Sequence, residues 1–305
     1  MNMQPTEIKM DNKITPGQDK TFPLLSILLT AYNRNDFIGE AIESFLSCTY
    51  PNLELIIVDD NSTDDTASIA RKYEQMDTRI KLFVNEKNLG QFINRNKIVS
   101  YAAGDYILYL DSDDKILADG LLECVNAMQA YPNASVGTYW PYSSGAPFLL
   151  SSKEIITEHF FKRQVLVNPP GCTILKKGYF EKIAGFSNKY GLANDMHYNL
   201  KLACYSDVVL FPFKFFFYRV HSGQEKHNWY GYVYNNYLFL KDALNELPLP
   251  LSAKEKEWIG NKNKRRFLRN IIRYFFHTRN FKQVKEALKK TGFSIKDCFN
   301  AVFHV

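Results

Sequence analysis

Apolar and polar positions alternate along the first half of the chain in blocks that read as strand and helix in turn. Residues 24–31 (LLSILLTA) form a nearly continuous apolar run, the pattern of a strand covered on both faces. After the polar turn 32–35, apolar residues at Phe37, Ile38, Ala41, Ile42, Phe45 and Leu46 recur at helical spacing. Asn35 or Asp36 is the expected cap of that helix, and Pro51 ends the unit. Residues 53–58 (LELIIV) predict a second strand that runs into Asp59-Asp60-Asn61-Ser62, and Thr63-Asp64-Asp65 opens the next helix. Residues 79–84 predict a third strand, 92–102 a helix stopped by Gly104, 106–110 (YILYL) a fourth strand and 117–130 a further helix.

Such alternation implies a mostly parallel sheet joined by right-handed crossovers. Sheets of this kind bind ligands beyond the carboxyl ends of their strands. Three polar clusters fall there: 30–33, 59–62 and 111–114. One polar loop after a strand is an ordinary turn; three on one edge, two of them rich in carboxylate, point to a site. Asp111 and Asp113 stand on alternate residues, and Asp114 adds a third charge. Crowding of this kind costs repulsion unless a cation or hydrogen-bond donors offset it. Mg²⁺ and Mn²⁺ take oxygen ligands, often one or two carboxylates with substrate phosphates filling the remaining positions. A metal–diphosphate site is therefore the physical reading. The competing one, a cap for the helix starting near Leu117, suits Asp114 better than Asp113. Asp60 lies nearest its strand end and can accept a bond from a base N–H or a ribose hydroxyl, whereas Asp64 and Asp65 suit a helix cap.

Composition narrows the class. With 46% hydrophobic and 23% charged residues, the 305-residue chain is neither disordered nor fibrous, and its length allows one large domain or two modest ones. Cys48, Cys124, Cys172, Cys204 and Cys298 are far apart and form no C-x-x-C pair, so a reducing cytosol fits better than a disulfide framework or a zinc site. Residues 1–20 lack the apolar core of a secretory signal and are read as a mobile tail. The greasiest run, 208–220, is interrupted by Pro212, Lys214 and Arg219 and falls short of the roughly 18 apolar residues of a membrane span.

The strings SILLTAYNR, VDDNSTDDT, NLGQFINRN and GDYILYLDSDD, in this order and spacing, resemble the inverting nucleotide-sugar glycosyltransferases of family 2, over about residues 24–222. The resemblance implies an α/β, GT-A (Rossmann-like) fold with a mostly parallel central sheet flanked by helices, plus a C-terminal helical extension. The expected division is a tail at 1–22, a GT-A domain at 23–223 (nucleotide half 23–130, acceptor half 131–223) and a basic aromatic helical region at 224–305. It also implies that Thr30 and Tyr32 contact base and ribose and that Asp60 contacts the base. Asp111 falls near the ribose, with Ser112 in the same nucleotide-sugar-binding loop, and Asp113 ligates the metal. Arg95 sits where a cation would reach the diphosphate, or else is a solvated helix charge.

In the second half, Gly185-Phe186 resembles the family's G-G-F turn, with Ala184 in place of the first glycine. The acid pair that follows reads Asn194-Asp195, so Asp195 inherits the role of general base. Tyr218-Arg219-Val220-His221 resembles a Y-R-x-H segment, which makes His221 a candidate metal ligand and Arg219 a phosphate contact. The turn at 168–171 either shapes the acceptor cleft or simply breaks the chain. The activity implied is metal-dependent (Mn²⁺ or Mg²⁺), inverting transfer from a nucleoside-diphosphate sugar, UDP by default, to a hydroxyl of a glycan or lipid-linked acceptor, in cell-surface polysaccharide or lipopolysaccharide synthesis. A sugar-nucleotide nucleotidyltransferase would want a glycine-rich loop at 30–33, where there is no glycine. A non-catalytic glycan- or membrane-binding relic has no reason to keep Asp60, Asp113 and Asp195 together.

Beyond about residue 224 the resemblance ends. Ser252 is the expected cap of a further helix. Residues 261–290 carry 11 Lys and Arg and a single acid, Glu286; this segment holds +10 and the rest of the chain −4, within an overall +6. Phe267, Leu268, Ile271, Ile272, Phe275 and Phe276 are expected to line one helical face between the cations. Two readings stay open: a membrane-surface anchor, or an apolar face packed on the catalytic domain beneath a solvated charge layer. The expected location is accordingly cytoplasmic, with peripheral attachment to the inner face of the cytoplasmic membrane under the first reading. No recognition motif accompanies the charge, so nucleic acid is not an expected partner.

Overall fold

The structure, a computed structural model, describes residues 22–221, 229–294 and 296–299. The tail expected at 1–22 lies outside the described residues apart from Phe22. The first half alternates as the apolar pattern predicts: β1 (Leu25–Ala31), α1 (Ile38–Leu46), β2 (Leu53–Asp59), α2 (Thr66–Met76), β3 (Ile80–Val84), α3 (Gln91–Ile98), β4 (Tyr106–Asp111), the two-residue β5 (Lys115–Ile116) and α4 (Gly120–Ala130). The second half is more broken: β6 (Val136–Tyr139), β7 (Phe148–Leu150), α5 (Ser152–Thr157), β8 (Thr173–Lys176), α6 (Lys177–Lys182), α7 (Asn194–Tyr205), β9 (Val208–Phe211) and β10 (Phe216–Phe217). Helices α8 (Trp229–Glu246), α9 (Ala253–Thr278) and α10 (Phe281–Thr291) follow.

Eight strands form one sheet in the order β3-β2-β1-β4-β8-β6-β9-β7. β3, β2, β1 and β4 are mutually parallel. The other half is mixed: β8 runs antiparallel to both β4 and β6, β6 is parallel to β9, and β7 is antiparallel to β9. Alternate strand residues feed two cores, one on each face of the sheet. Leu28, Ile56, Val58, Ile107 and Tyr109 face α3, α6, α7 and α8. Leu25, Ile27, Leu29, Leu55, Ile57, Leu108 and Leu110 face α1 and α4. Both faces being covered explains why these strands read as unbroken apolar runs.

A third, smaller core joins α8, α9 and α10 through Val233, Tyr237, Phe267, Ile271, Tyr274 and Ala287. Since α8 also gives Phe239, Leu240 and Ala243 to the core that holds α7, the C-terminal helices are continuous with the sheet's packing. Ser252 caps α9 as expected, in a capping box with Glu255. Two local expectations are corrected. Neither Asn35 nor Asp36 caps α1, whose N-cap is Phe37 without a side-chain bond; the Asn35 N–H donates to Asp64 instead. The six apolar residues expected on one face of α9 also divide. Phe267 and Ile271 are buried, whereas Ile272 and Phe276 are 45% and 61% exposed.

Candidate active site

The ends of β1 and β2 are built as one interlocked loop pair. Asn33 and Asn61 both hold φ in the left-handed region, at 50° and 63°, where Asn is tolerated better than most residues. The Asn33 N–H donates to Ser62 Oγ at 2.9 Å, and Asn33 Oδ1 accepts from the Thr63 N–H at 2.9 Å. Asp59 in turn holds Ser62 through its N–H at 2.8 Å. Beside this frame Thr30 is half-buried and Tyr32 is 43% exposed, an aromatic face left open at the strand edge. Asp60 is buried and accepts three hydrogen bonds, from Asn85 Nδ2 (2.7 Å), the Leu89 N–H (2.9 Å) and the Gly90 N–H (2.9 Å). It thereby ties the loop before α3 to the end of β2. A carboxylate offers about four acceptor positions, so limited capacity remains for a ligand.

Helix α3 then connects this corner to the centre of the sheet. Its consecutive residues Asn94, Arg95 and Asn96 each reach a different element. Asn94 Nδ2 donates to the Val58 carbonyl at 3.3 Å. Asn96 brackets the backbone of Phe186, accepting from its N–H and donating to its carbonyl, both at 2.8 Å. Arg95 is 1% exposed and joins two carboxylates: one terminal nitrogen lies 2.6 Å from Asp111 Oδ1, the other 2.9 Å from Asp195 Oδ1. Its guanidinium also sits over the Phe92 and Phe186 rings, at 5.6 and 5.7 Å. Arg95 is thus no solvated helix charge. Its two terminal nitrogens bond to Asp111 and Asp195.

Past β4 the chain folds back on itself. β5 pairs antiparallel with β10, register Phe216↔Ile116 and Phe217↔Lys115, which lays residues 218–221 along the carboxylate loop. His221 Nε2 lies 2.9 Å from Asp113 Oδ2, and Arg34 Nε lies 3.9 Å from the same oxygen. Arg219 brackets the loop: its N–H donates to Asp114 Oδ1 at 2.9 Å, its Nε to the Asp113 carbonyl at 2.9 Å and a terminal nitrogen to Glu40 at 2.7 Å. Those bonds brace the carboxylate loop from the segment that ends in His221. Ser112 is buried between the two acids. Asp114 does not cap α4, which starts six residues later at Gly120. Burial pushes its carboxyl up to about 7, against the Arg219 N–H and with added repulsion from Asp111 and Asp113.

Asp195 opens α7 with its side chain 32% exposed. Burial holds its carboxyl above the ordinary range; Arg95 opposes the shift and Asp111 adds to it. Among the described residues its Oδ2 accepts no hydrogen bond, which leaves acceptor capacity on the atom Arg95 does not hold. Asn194 is fully buried, and its Oδ1 accepts from the Tyr190 N–H at 3.1 Å. A carboxylate there would be a second buried charge beside Asp195.

Asp111, Asp195, Asp113 and His221 therefore gather around the end of β4, with Asp60 at the far end of α3. Glu40, Asn94, Asn96 and the ring of Phe37, which packs on His221 at 4.7 Å, complete the frame without having been singled out from sequence. For the asparagines the signal lay in the NLGQFINRN string; for Glu40 and Phe37 no sequence signal exists. A separate hollow of about 990 Å³ lies at the opposite edge, beside Asp105, Lys176 and Asp207, away from this cluster.

The donor set at Asp113 and His221 fits a divalent cation. It offers a carboxylate oxygen and an imidazole nitrogen within hydrogen-bond distance, from segments 108 residues apart. No group of three or more His, Cys, Asp or Glu side chains suited to an ion occurs among the described residues. Such an ion would therefore complete its shell with phosphate oxygens and water, as Mg²⁺ commonly does.

The sequence profile described as glycosyl transferase family 2 matches residues 26–184, more than half the chain. Residues of this chain are 43% identical over 99 positions to the putative teichuronic acid biosynthesis glycosyltransferase TuaG of Bacillus subtilis, covering 32% of this chain and 39% of that protein. They are 36% identical over 100 positions to the GalNAc(5)-diNAcBac-PP-undecaprenol beta-1,3-glucosyltransferase of Campylobacter jejuni, covering 32% of each. The chain thus spans about a third to two fifths of the length of these curated relatives. Its fold is similar to a crystal structure of S. aureus TarS in complex with UDP-GlcNAc (TM-score 0.68, 19% identity, 88% of this chain and 81% of that one). It is also similar to the mannosyltransferase PcManGT of Pyrobaculum calidifontis in complex with GDP-Man and Mn²⁺ (TM-score 0.58, 14% identity, 92% and 84%). With the strand-end carboxylates, the parallel half-sheet and the family profile in agreement, the chain belongs to glycosyl transferase family 2 and has a GT-A fold.

Proposed function

We propose that the enzyme transfers a sugar, with inversion, from a UDP-sugar to a hydroxyl of a glycan or lipid-linked acceptor in cell-surface polysaccharide synthesis, and that it needs Mn²⁺ or Mg²⁺. The observation that carries this reading is the Arg95 bridge, which sets Asp195 beside Asp111 at the end of β4. Asp195 removes the proton of the acceptor hydroxyl as that oxygen attacks the anomeric carbon. Arg95 fixes Oδ1 and so the orientation of the carboxylate, while Oδ2 keeps the capacity to accept the proton. One base and one in-line displacement give inversion. The upward direction of the Asp195 shift predicts an acid limb of the rate profile above the usual carboxylate range.

Donor binding falls to the strand ends. The exposed Tyr32 ring offers a stacking face for the base, Thr30 and Asp60 offer polar contacts, and Asp111 with Ser112 faces the ribose and diphosphate. Asp113 and His221 would hold the cation, which when bound neutralises charge developing on the departing diphosphate. Residues 23–223 are then the catalytic unit, and helices α8, α9 and α10 brace its acceptor half through α8. The bound donors of TarS and PcManGT, and the undecaprenol-linked substrate in the name of the Campylobacter relative, support donor and acceptor class.

The test is a panel of UDP-, GDP- and other nucleotide sugars, assayed for donor consumption with Mn²⁺, Mg²⁺ or EDTA. A UDP-sugar should be consumed with metal and spared in EDTA, and Asp113→Asn should lose most of the metal-stimulated rate. Full turnover in EDTA would refute the metal role, and a preference for another nucleotide would refute the donor.

A further inference from the structure

The outward stripe of α9 and the turn into α10 combine features that no role in the reaction uses. Residues Lys262, Arg269, Ile272 and Phe276 are exposed and share one face of α9, on which Trp258, nearer its start, stacks on Phe161 at 5.3 Å. The buried residues Ile259, Phe267, Ile271 and Tyr274 occupy the opposite face against α8. Phe276 and Phe281 flank the turn and are 61% and 67% exposed. Phe275 joins them, with ring centroids 5.8 and 6.4 Å away, and the Arg279 guanidinium lies 5.4 Å from the Phe276 ring. Exposed apolar residues scattered singly need no explanation, but an aromatic cluster at a helical tip does.

Cations outnumber acids around this tip. Among the described residues, Lys264 pairs with Asp297 and Lys290 with Glu286. Among the described residues no carboxylate lies within ion-pair distance of Arg269, Arg273, Arg279, Lys282, Lys285 or Lys289. A merely solvated face would carry the cations without two exposed phenylalanines among them. Exposed aromatic side chains set among cations match the chemistry of an anionic bilayer surface, which offers acyl chains and phosphate headgroups together.

We propose that the α9–α10 tip is a docking surface for an anionic lipid bilayer, with Phe276 and Phe281 entering the headgroup–acyl boundary and Arg273, Arg279, Lys282 and Lys285 meeting lipid phosphates. No described helix is long and apolar enough to cross a membrane, so the contact lies at the surface. Since α9 packs on α8 and α8 on α7, the surface is joined by helix packing to the helix that carries Asp195. The proposal holds for any donor sugar.

The experiment is co-sedimentation of the full chain with mixed phosphatidylglycerol–phosphatidylcholine vesicles and with pure phosphatidylcholine vesicles. The wild type should bind the mixed vesicles and release at about 1 M salt, where the screening length falls to about 3 Å. Lys282→Glu/Lys285→Glu should weaken that binding about ten-fold or more. Phe276→Ser/Phe281→Ser should weaken it comparably while donor consumption in solution stays at the wild-type rate, which separates loss of docking from loss of fold. No binding of the wild type to mixed vesicles at low salt would overturn the proposal. So would full binding by the phenylalanine variant, or soluble polyphosphate binding as tight as vesicle binding, since the surface would then be a generic polyanion patch.

Discussion

Arg95 is one of the largest fully buried side chains of the molecule. A guanidinium in that position is tolerable because two carboxylates, Asp111 and Asp195, compensate it, and it keeps those like charges from repelling each other. From sequence Arg95 stands between a diphosphate contact and a solvated helix charge; only the assembled sheet shows its bonds to two carboxylates. Ala184 shows the reverse case. Its place in a G-G-F-like turn is visible in sequence, and the structure gives it φ 55°, which a residue with a Cβ adopts at a cost of about 1–2 kcal/mol. Part of that cost is offset because alanine restricts the unfolded chain more than glycine does. Ala184→Gly should therefore raise the urea midpoint, by roughly 1 kcal/mol or less in stability. Gly185→Ala should lower it, since the added Cβ would lie 2.4 Å from Asn96 Oδ1 in a position whose φ is also positive. Opposite signs at adjacent residues in urea unfolding check the turn; a fall for Ala184→Gly would contradict it.

At the scale of elements, α3 does more than cover the sheet. Asn94 ties it to β2, Arg95 to β4 and α7, and Asn96 to the turn before α7. Asn96→Ala would leave the Phe186 N–H and carbonyl without partners, so a loss of about 1–3 kcal/mol is expected in denaturant unfolding. Because Phe186 stacks on Tyr198 of α7 at 3.8 Å, the same variant should slow donor consumption even where it remains folded. A variant with wild-type stability and rate would show that the bracket holds nothing in place.

The strands of the first half were legible because both of their faces are buried, which yields long apolar runs. β6, β7 and β9 were not: at three or four residues each they carry too little pattern, and their antiparallel partners come from distant segments. α9 was legible as a helix through its Ser252 cap and its periodicity. Its division into an inward and an outward apolar stripe was not, since a rotation of one or two residues distinguishes Ile271 from Ile272.

Across the whole molecule, the two sheet faces, the C-terminal bundle and the strand-end loops bring residues 95, 111, 113, 195 and 221 to one corner. Ordered motif strings made most of that corner readable in advance. They marked strand ends, and strand ends in a parallel sheet lie together. They left unread the bonds inside the corner, in which Arg219 braces a loop and Arg95 orients a carboxylate, because arginine's long side chain can turn to solvent, phosphate or carboxylate from the same sequence position. In the proposed reaction Asp195 takes the acceptor's proton, and donor binding falls to other residues. The most direct measurement is the transfer rate of Asp195→Asn at saturating donor and acceptor, in the metal that supports the wild type. A drop of about 100-fold or more, with donor affinity kept near the wild-type value, is the expected result; transfer at the wild-type rate would contradict it.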